Sequence, residues 1–301
     1  MITWTEAGAV ERPRMVQVRV QRSYPGRVRA GAPVPTRSMS PEEIADNLRF
    51  FTEGIAGPRT EACNRLVLSG VGVAARADTP DQLALALELG LSTVVLHAGV
   101  EDLDTLDVSR LPGVGTVVVP VQPGPGGALL QAGARAIRAC RDAGVRVAAS
   151  TQLTGHALGE LDTVARAVAR ARPDTLTFTY PFPIGGNTSS EVARPPAVLR
   201  ALTRVVPRVE AAGVTVHIKG LPACYLGGLA DRHGRSANRW YVDADHQHDR
   251  ALLFFPGVVA FTKEDACRFC ALDGRCDGFF ATYLRRSGFP ALTAVSDPRG
   301  A

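Results

Sequence analysis

Short apolar runs alternate with longer stretches in which apolar residues recur every three or four positions, and this alternation organises most of the chain. The runs are MVQVRV (15–20), RLVLSG (65–70), STVVLHA (92–98), GTVVVPV (115–121), GVRVAAS (144–150), DTLTFTY (174–180) and GVTVHIK (213–219). Their length and β-branched content predict strands. Between most of them lie helix-patterned stretches: TPDQLALALELG, GALLQAGARAIRACRDAG, ELDTVARAVARARPD and PAVLRALTRVVPRVEAAG. Several end in Gly just before the next strand, where a left-handed cap residue is expected. A further helix is predicted in SMSPEEIADNLRFFTEGI. Ser40 is its N-cap, Pro41 its first-turn residue, and Ile44, Leu48 and Phe51 share one face.

Apolar strands alternating with helices predict a parallel α/β domain. Seven strand candidates approach the eight of a closed β/α barrel, while the period alone suits a doubly wound sheet equally. A basic, Gly/Pro-rich loop, QRSYPGRVRAGAPVPTR, follows the first strand and is too long for a simple connector. After residue 220 the rhythm stops. GLPACYLGGLADRHGRSANRWYVDADHQHDR is polar and turn-rich, LLFFPGVVAFT reads as a strand or a buried loop, and a cysteine cluster follows. The predicted division is therefore 1–220, a barrel-like α/β part, and 221–301, a cysteine-rich extension.

The 301 residues are 46% hydrophobic, enough for a sizeable core. No run approaches the length of a membrane span, and MITWTEAGAVERPRM has acidic residues and no apolar signal core, so a cytoplasmic protein is expected. The formal charge of +5 comes mostly from arginines scattered along the chain. Such dispersion predicts solvated helix faces, not a nucleic-acid surface. A modest positive field suits an anionic small molecule or an acidic peptide.

Six cysteines change the picture, because close-spaced thiols in a reducing compartment bind metal or do redox work. Cys267, Cys270 and Cys276 are spaced C-x2-C-x5-C, which brings thiolates to one face of an ion or cluster. Both zinc and a cubane want four ligands, and Cys224, in KGLPACYLG, is the candidate for the fourth. His233, His246 and His248 compete for that place. On spacing alone zinc and iron–sulfur stand equal. Cys63 and Cys140 lie in apolar contexts and read as core residues.

KGLPACYLG, NRWYVDADHQ, KEDACRFC and RCDGFFATYLRRSG together resemble the C-terminal auxiliary-cluster region of radical SAM enzymes, in its SPASM and twitch forms. There a cysteine after the last barrel strand joins a C-x2-C-x5-C, followed by G-x4-Y and a late glycine. The matching residues here are Cys224, Cys267, Cys270 and Cys276, with Gly278, Tyr283 and Gly288. The resemblance implies one auxiliary [4Fe–4S] cluster in place of zinc, and a partial (β/α)6 TIM-like barrel over residues 15–220 with an irregular cysteine-rich C-terminal extension.

The same family holds its catalytic cluster through C-x3-C-x2-C in the loop after the first strand. That loop here contains no cysteine, and the three positions fall near Ser23, Arg27 and Ala30. The resemblance thus implies a degenerate cofactor loop, with SAM absent or bound in a non-standard way. The glycine-rich turn that meets SAM in the family corresponds to Ser69, Gly70 and Gly72, without its acidic residue. Gly70, Gly72 and Ala75 also spell a dinucleotide-type fingerprint. That motif needs a helix opening at the glycines, whereas the helix is predicted to begin near Pro80, so a tight β–α turn is expected.

In a parallel barrel, chemistry sits at the C-terminal ends of strands. His97, Gln152 (after Ser150 and Thr151), Tyr180, Asn187, His217 and Lys219 occupy such positions and form the candidate ligand pocket. Alternation puts His217 and Lys219 on one face. Trp240 and Tyr241 read as packing anchors.

The expected function is a degenerate radical-SAM-like iron–sulfur protein that binds a substrate or peptide, or pairs with an active enzyme, in a biosynthetic pathway. The alternatives are an enzyme with non-radical chemistry at the cluster or barrel mouth, and a zinc-stapled scaffold.

Overall fold

The computed structural model describes residues 2–3, 13–21, 37–53, 62–183, 192–254, 261–286 and 288–296. They fall into two compact units, Met1–Pro120 with Arg135–Val147 and Asn238–Phe255, and Val121–Ala134 with Ala148–Ala237 and Pro256–Ala301.

The first unit contains strands β1 (Ile2–Thr3), β2 (Met15–Arg19), β3 (Arg65–Ser69), β4 (Thr93–His97), β5 (Val114–Pro120), β9 (Arg239–Val242) and β10 (Leu252–Phe254). Their order is β1-β10-β9-β2-β3-β4-β5. β9, β2, β3, β4 and β5 run parallel, while β10 and β1 add antiparallel pairs at one side. Alternate residues Val16, Val18, Leu66, Leu68, Val94 and Leu96 are fully buried, as period-two patterning requires. Helices α1 (Pro41–Thr52) and α2 (Thr79–Glu88) add Ile44, Leu48, Phe51, Leu83 and Ala86 to the core.

α1 begins where the sequence places it. The Ser40 hydroxyl accepts from Glu43 N–H at 3.1 Å, and the Glu43 carboxylate accepts from Ser40 N–H at 2.9 Å, a complete capping box. One turn further, buried Asn47 donates to the side-chain oxygen of Gln247 at 3.0 Å and accepts from His248 N–H at 2.9 Å. That amide ties α1 to the turn between β9 and β10. Trp240 packs its ring 5.9 Å from Phe51, consistent with an anchoring role.

The second unit contains parallel strands β6 (Arg146–Gln152), β7 (Thr175–Thr179) and β8 (Thr215–Lys219), with helices α4 (Gly155–Ala171) and α5 (Pro195–Ala211). α4 and α5 pack together, and Asp162 accepts from both Arg204 and Arg208. Helix α3 (Ala128–Asp142) lies between β5 and β6 in the chain and buries Ile137 and Cys140. The cysteine-rich part is mostly 3-10 turns, with a short antiparallel pair of β11 (Phe261–Thr262) and β12 (Phe279–Phe280) and a one-turn helix, α6 (Ala281–Leu284). All seven predicted strands are present. Among the described residues no helix is long and apolar enough to cross a membrane.

Candidate metal centre and barrel face

Cys224 sits in a 3-10 turn, Ala223–Tyr225, a few residues after β8. The chain reaches it through Gly220, whose φ is +81° and whose missing Cβ would lie 2.9 Å from the Tyr180 carbonyl oxygen. Any larger residue there collides with β7's exit. Cys267 lies in the turn Asp265–Phe269, Cys270 caps it, and Cys276 caps the turn Asp273–Arg275. All four cysteines line one small cavity, together with Ala223, Lys263, Asp273, Gly278 and Thr293.

Backbone amides point at the sulfurs. Cys276 Sγ accepts from Ala223 N–H at 3.5 Å and Gly278 N–H at 3.4 Å, and Cys270 Sγ accepts from Leu272 and Val295 N–H at 3.4 Å each. A neutral thiol is a weak acceptor, so paired amides fit sulfurs that carry negative charge. Ala223, Ala230, Leu272 and Val295 form an apolar floor on which Cys224, Cys270 and Cys276 rest. Burial pushes the Cys224 and Cys276 thiols up, and the amides at Thr293, for Cys224, and at Ala223 and Gly278, for Cys276, pull them back. Among the described residues no three His, Cys, Asp or Glu side chains gather as ligands of a single ion. All four thiols line the same cavity. The donor set, the cavity and the amides fit a thiolate-ligated cluster.

Cys63 and Cys140 are different. Both are buried, and burial alone pushes them to about 12 and about 11. Such thiols are inert at neutral pH. Among the described residues no histidine lines the cavity. His246 bonds Asp243 at 2.9 Å and His248 packs on Phe50, both in the first unit.

Aromatic residues seat the cysteine loops on the strand ends of the second unit. Tyr283 stacks on Phe289, meets Tyr180 edge to face, and donates its hydroxyl to the Pro181 carbonyl at 2.9 Å. Buried Asp277 accepts from Arg235 at 3.0 Å and Ser236 N–H at 2.9 Å, clamping the chain beside Cys276 to the segment after β8. Gly288, with φ +92°, passes within 3.3 Å of the Arg194 guanidinium carbon, measured from where its Cβ would be.

The register of β6, β7 and β8 sets polar residues in rows across one face. Ser150, Thr177 and His217 form one row, and Gln152, Thr179 and Lys219 the next. Burial, then the charge of Lys219, lowers the His217 pKa. Gly234 runs over this face, where a Cβ would stand 3.2 Å from the Lys219 stem. Tyr180 is buried and donates its hydroxyl to the Ala193 carbonyl at 2.5 Å. His97 is exposed at the end of β4, in the first unit. Asn187, Ser23, Arg27 and Ala30 lie outside the described residues.

Ser69 is buried and bonded to Gln17 at 3.2 Å. Gly70 has φ +134°, and a Cβ there would lie 2.7 Å from the Gln21 nitrogen, so the turn demands glycine. Gly72, at φ +62°, has open space instead. α2 begins at Thr79, well after these glycines. The amides that a dinucleotide phosphate would seek are already engaged. Buried Asp102 accepts from Ala74 and Ala75 N–H at 3.0 and 3.3 Å, and from Gly99 N–H at 2.7 Å. The turn is a tight β–α connection filled by an internal carboxylate.

The sequence reading passed over several residues of the cavity wall. Lys263 precedes the cysteine cluster and Asp273 lies between Cys270 and Cys276, and their charges were the available signal. Leu292 and Thr293 return from the end of the chain with no local pattern to announce them.

The mixed α/β fold, with mostly parallel strands, matches the partial TIM-like barrel expected from the cysteine resemblance. Among solved structures, Streptococcus suis SuiB bound to S-adenosylmethionine aligns with 97% of this chain and 78% of its own, at TM-score 0.60 and 10% identity. SuiB bound to precursor peptide SuiA gives TM-score 0.60 and 10% identity over 97% of this chain and 77% of its own. Native anSMEcpe with bound AdoMet and Cp18Cys peptide aligns over 95% of this chain and 93% of its own, at TM-score 0.57 and 10% identity. At 10% identity these likenesses show a shared fold. No family model and no curated protein sequence matches the chain.

Proposed function

We propose that this chain is a degenerate radical-SAM-like iron–sulfur protein. It carries one [4Fe–4S] cluster on Cys224, Cys267, Cys270 and Cys276, and binds a peptide or other substrate, or a partner enzyme, in a biosynthetic pathway of the cytoplasm. The observation that carries this reading is the convergence of four cysteines, drawn from distant parts of residues 221–301, on one cavity whose amides face the sulfurs. When bound, the cluster supplies an electron-transfer centre. The amides of Ala223, Leu272, Gly278 and Val295 hold the negative charge of the thiolates, and the apolar floor limits water.

The barrel is proposed to bind ligand without a SAM-binding cluster of its own. Four of the six cysteines line the cavity and the other two are buried, which leaves no thiolate for the loop after β2. The polar rows of β6 to β8, with His217, Lys219 and Gln152, are the proposed ligand face. They support a peptide or an anionic small molecule, as the peptides bound to SuiB and anSMEcpe suggest by analogy. The same rows favour a second reading, an enzyme with non-radical chemistry on that face.

Anaerobic purification with iron, sulfide and zinc analysis and a Mössbauer spectrum tests the cluster. About four irons and four sulfides per chain, the composition of one cubane, are expected, and Cys270→Ala loses them. One zinc with negligible iron, or unchanged metal in Cys270→Ala, overturns the assignment.

A further inference from the structure

Lys263 and Asp273 face each other across the wall of the cysteine cavity. The Lys263 ammonium donates to the Asp273 carboxylate at 2.8 Å and to the Asp273 backbone carbonyl at 2.6 Å. Its position is fixed at both ends. Lys263 directly follows β11, which is paired with β12, and its stem crosses Gly278, where a Cβ would sit 3.0 Å from Lys263 Cγ. Few exposed lysines are constrained in this way. The neighbouring carboxylate, Glu264, is committed elsewhere and accepts from Leu292 N–H at 2.8 Å.

A fixed cation beside a redox centre stabilises the form with the extra electron, and a fixed carboxylate stabilises the form without it. We propose that the Lys263–Asp273 pair sets the reduction potential of the cluster bound by the four cysteines, Lys263 raising it and Asp273 lowering it. This inference rests on the cluster assignment above. Both side chains are partly exposed, at 37% and 46%, so solvent screens the effect and a modest shift is expected.

The test is an EPR-monitored redox titration of the anaerobically reconstituted full chain and three variants. Lys263→Met is expected to lower the reduced-to-oxidised ratio at the parent midpoint about threefold, equivalent to about 28 mV for a one-electron couple. Asp273→Asn keeps the backbone carbonyl that anchors Lys263, and is expected to move the midpoint the opposite way. Lys263→Arg keeps the charge and the parent value. Opposed shifts at unchanged iron content support the proposal, because structural damage has no reason to change sign between the two variants. Unmoved midpoints, or shifts in one direction, with iron retained overturn it while leaving the cluster in place. If Lys263→Met loses iron, Asp273→Asn and Lys263→Arg still decide. A parent protein without iron and sulfide overturns the cluster assignment and this inference together.

Discussion

Gly278 does three things that no other residue can do at once. Its φ of +88° lies where side chains are strained, and its amide donates to Cys276 Sγ. A Cβ would stand 2.2 Å from the Thr262 carbonyl oxygen and 3.0 Å from Lys263 Cγ. The carbonyl belongs to the β11–β12 pair and cannot swing aside, so the backbone itself must move. Gly278→Ala is expected to destabilise the protein by about 2–4 kcal/mol, combining strained φ with overpacking. Urea denaturation checks the magnitude, and iron content after anaerobic reconstitution checks whether Cys276 has moved. Gly274, four residues earlier, meets nothing within 4 Å of its missing Cβ and serves as the contrast. Gly274→Ala should leave both measurements near the parent. The spacing of Gly278 after Cys276 was legible in the sequence. The physical reason for it was not, because the crowding partners come from Thr262 and Lys263.

At the scale of elements, what could be read depended on how local the signal was. The seven apolar strands and the Ser40–Pro41 helix start are written in adjacent residues, and all appear. β9 was not legible as a strand. RWYV is four residues long inside a polar, turn-rich segment, and its partner β2 lies more than two hundred positions away. The pairing follows from burial of Trp240 and Val242 and from the Asn47 bridge, none of which leaves a periodic trace. That bridge makes a prediction. Asn47→Ala removes the acceptor of His248 N–H and the donor to Gln247 in a fully buried setting. The loss should be about 2–4 kcal/mol. Hydrogen exchange should quicken in residues 243–250 well beyond any change in β3 or β4. Uniform quickening across the first unit would mean that Asn47 supports the fold generally and does not pin this turn.

For the molecule as a whole, the cysteine inventory separates fold from chemistry. The likeness to SuiB and anSMEcpe, both captured with S-adenosylmethionine, covers nearly all of this chain at 10% identity, and so establishes a shared fold. Reductive cleavage of a sulfonium needs more than a barrel. An iron must coordinate the methionine moiety and deliver an electron to it, which requires a cluster with an open iron next to the SAM site. The loop after β2 contains no cysteine, the resemblance puts the three thiolate positions near Ser23, Arg27 and Ala30, and Ala74 and Ala75 already spend their amides on Asp102. The reconstituted full chain, given S-adenosylmethionine and dithionite, is therefore expected to release no 5′-deoxyadenosine above a protein-free control by mass spectrometry. Release that disappears in Cys270→Ala would mean that the C-terminal site itself serves the cofactor, and the degenerate reading would fall. Release that persists in a variant lacking all four cavity cysteines would instead point to contaminating enzyme. A null result with an intact cluster leaves binding as the property to pursue, and directs the search for ligands to the polar rows of β6 to β8.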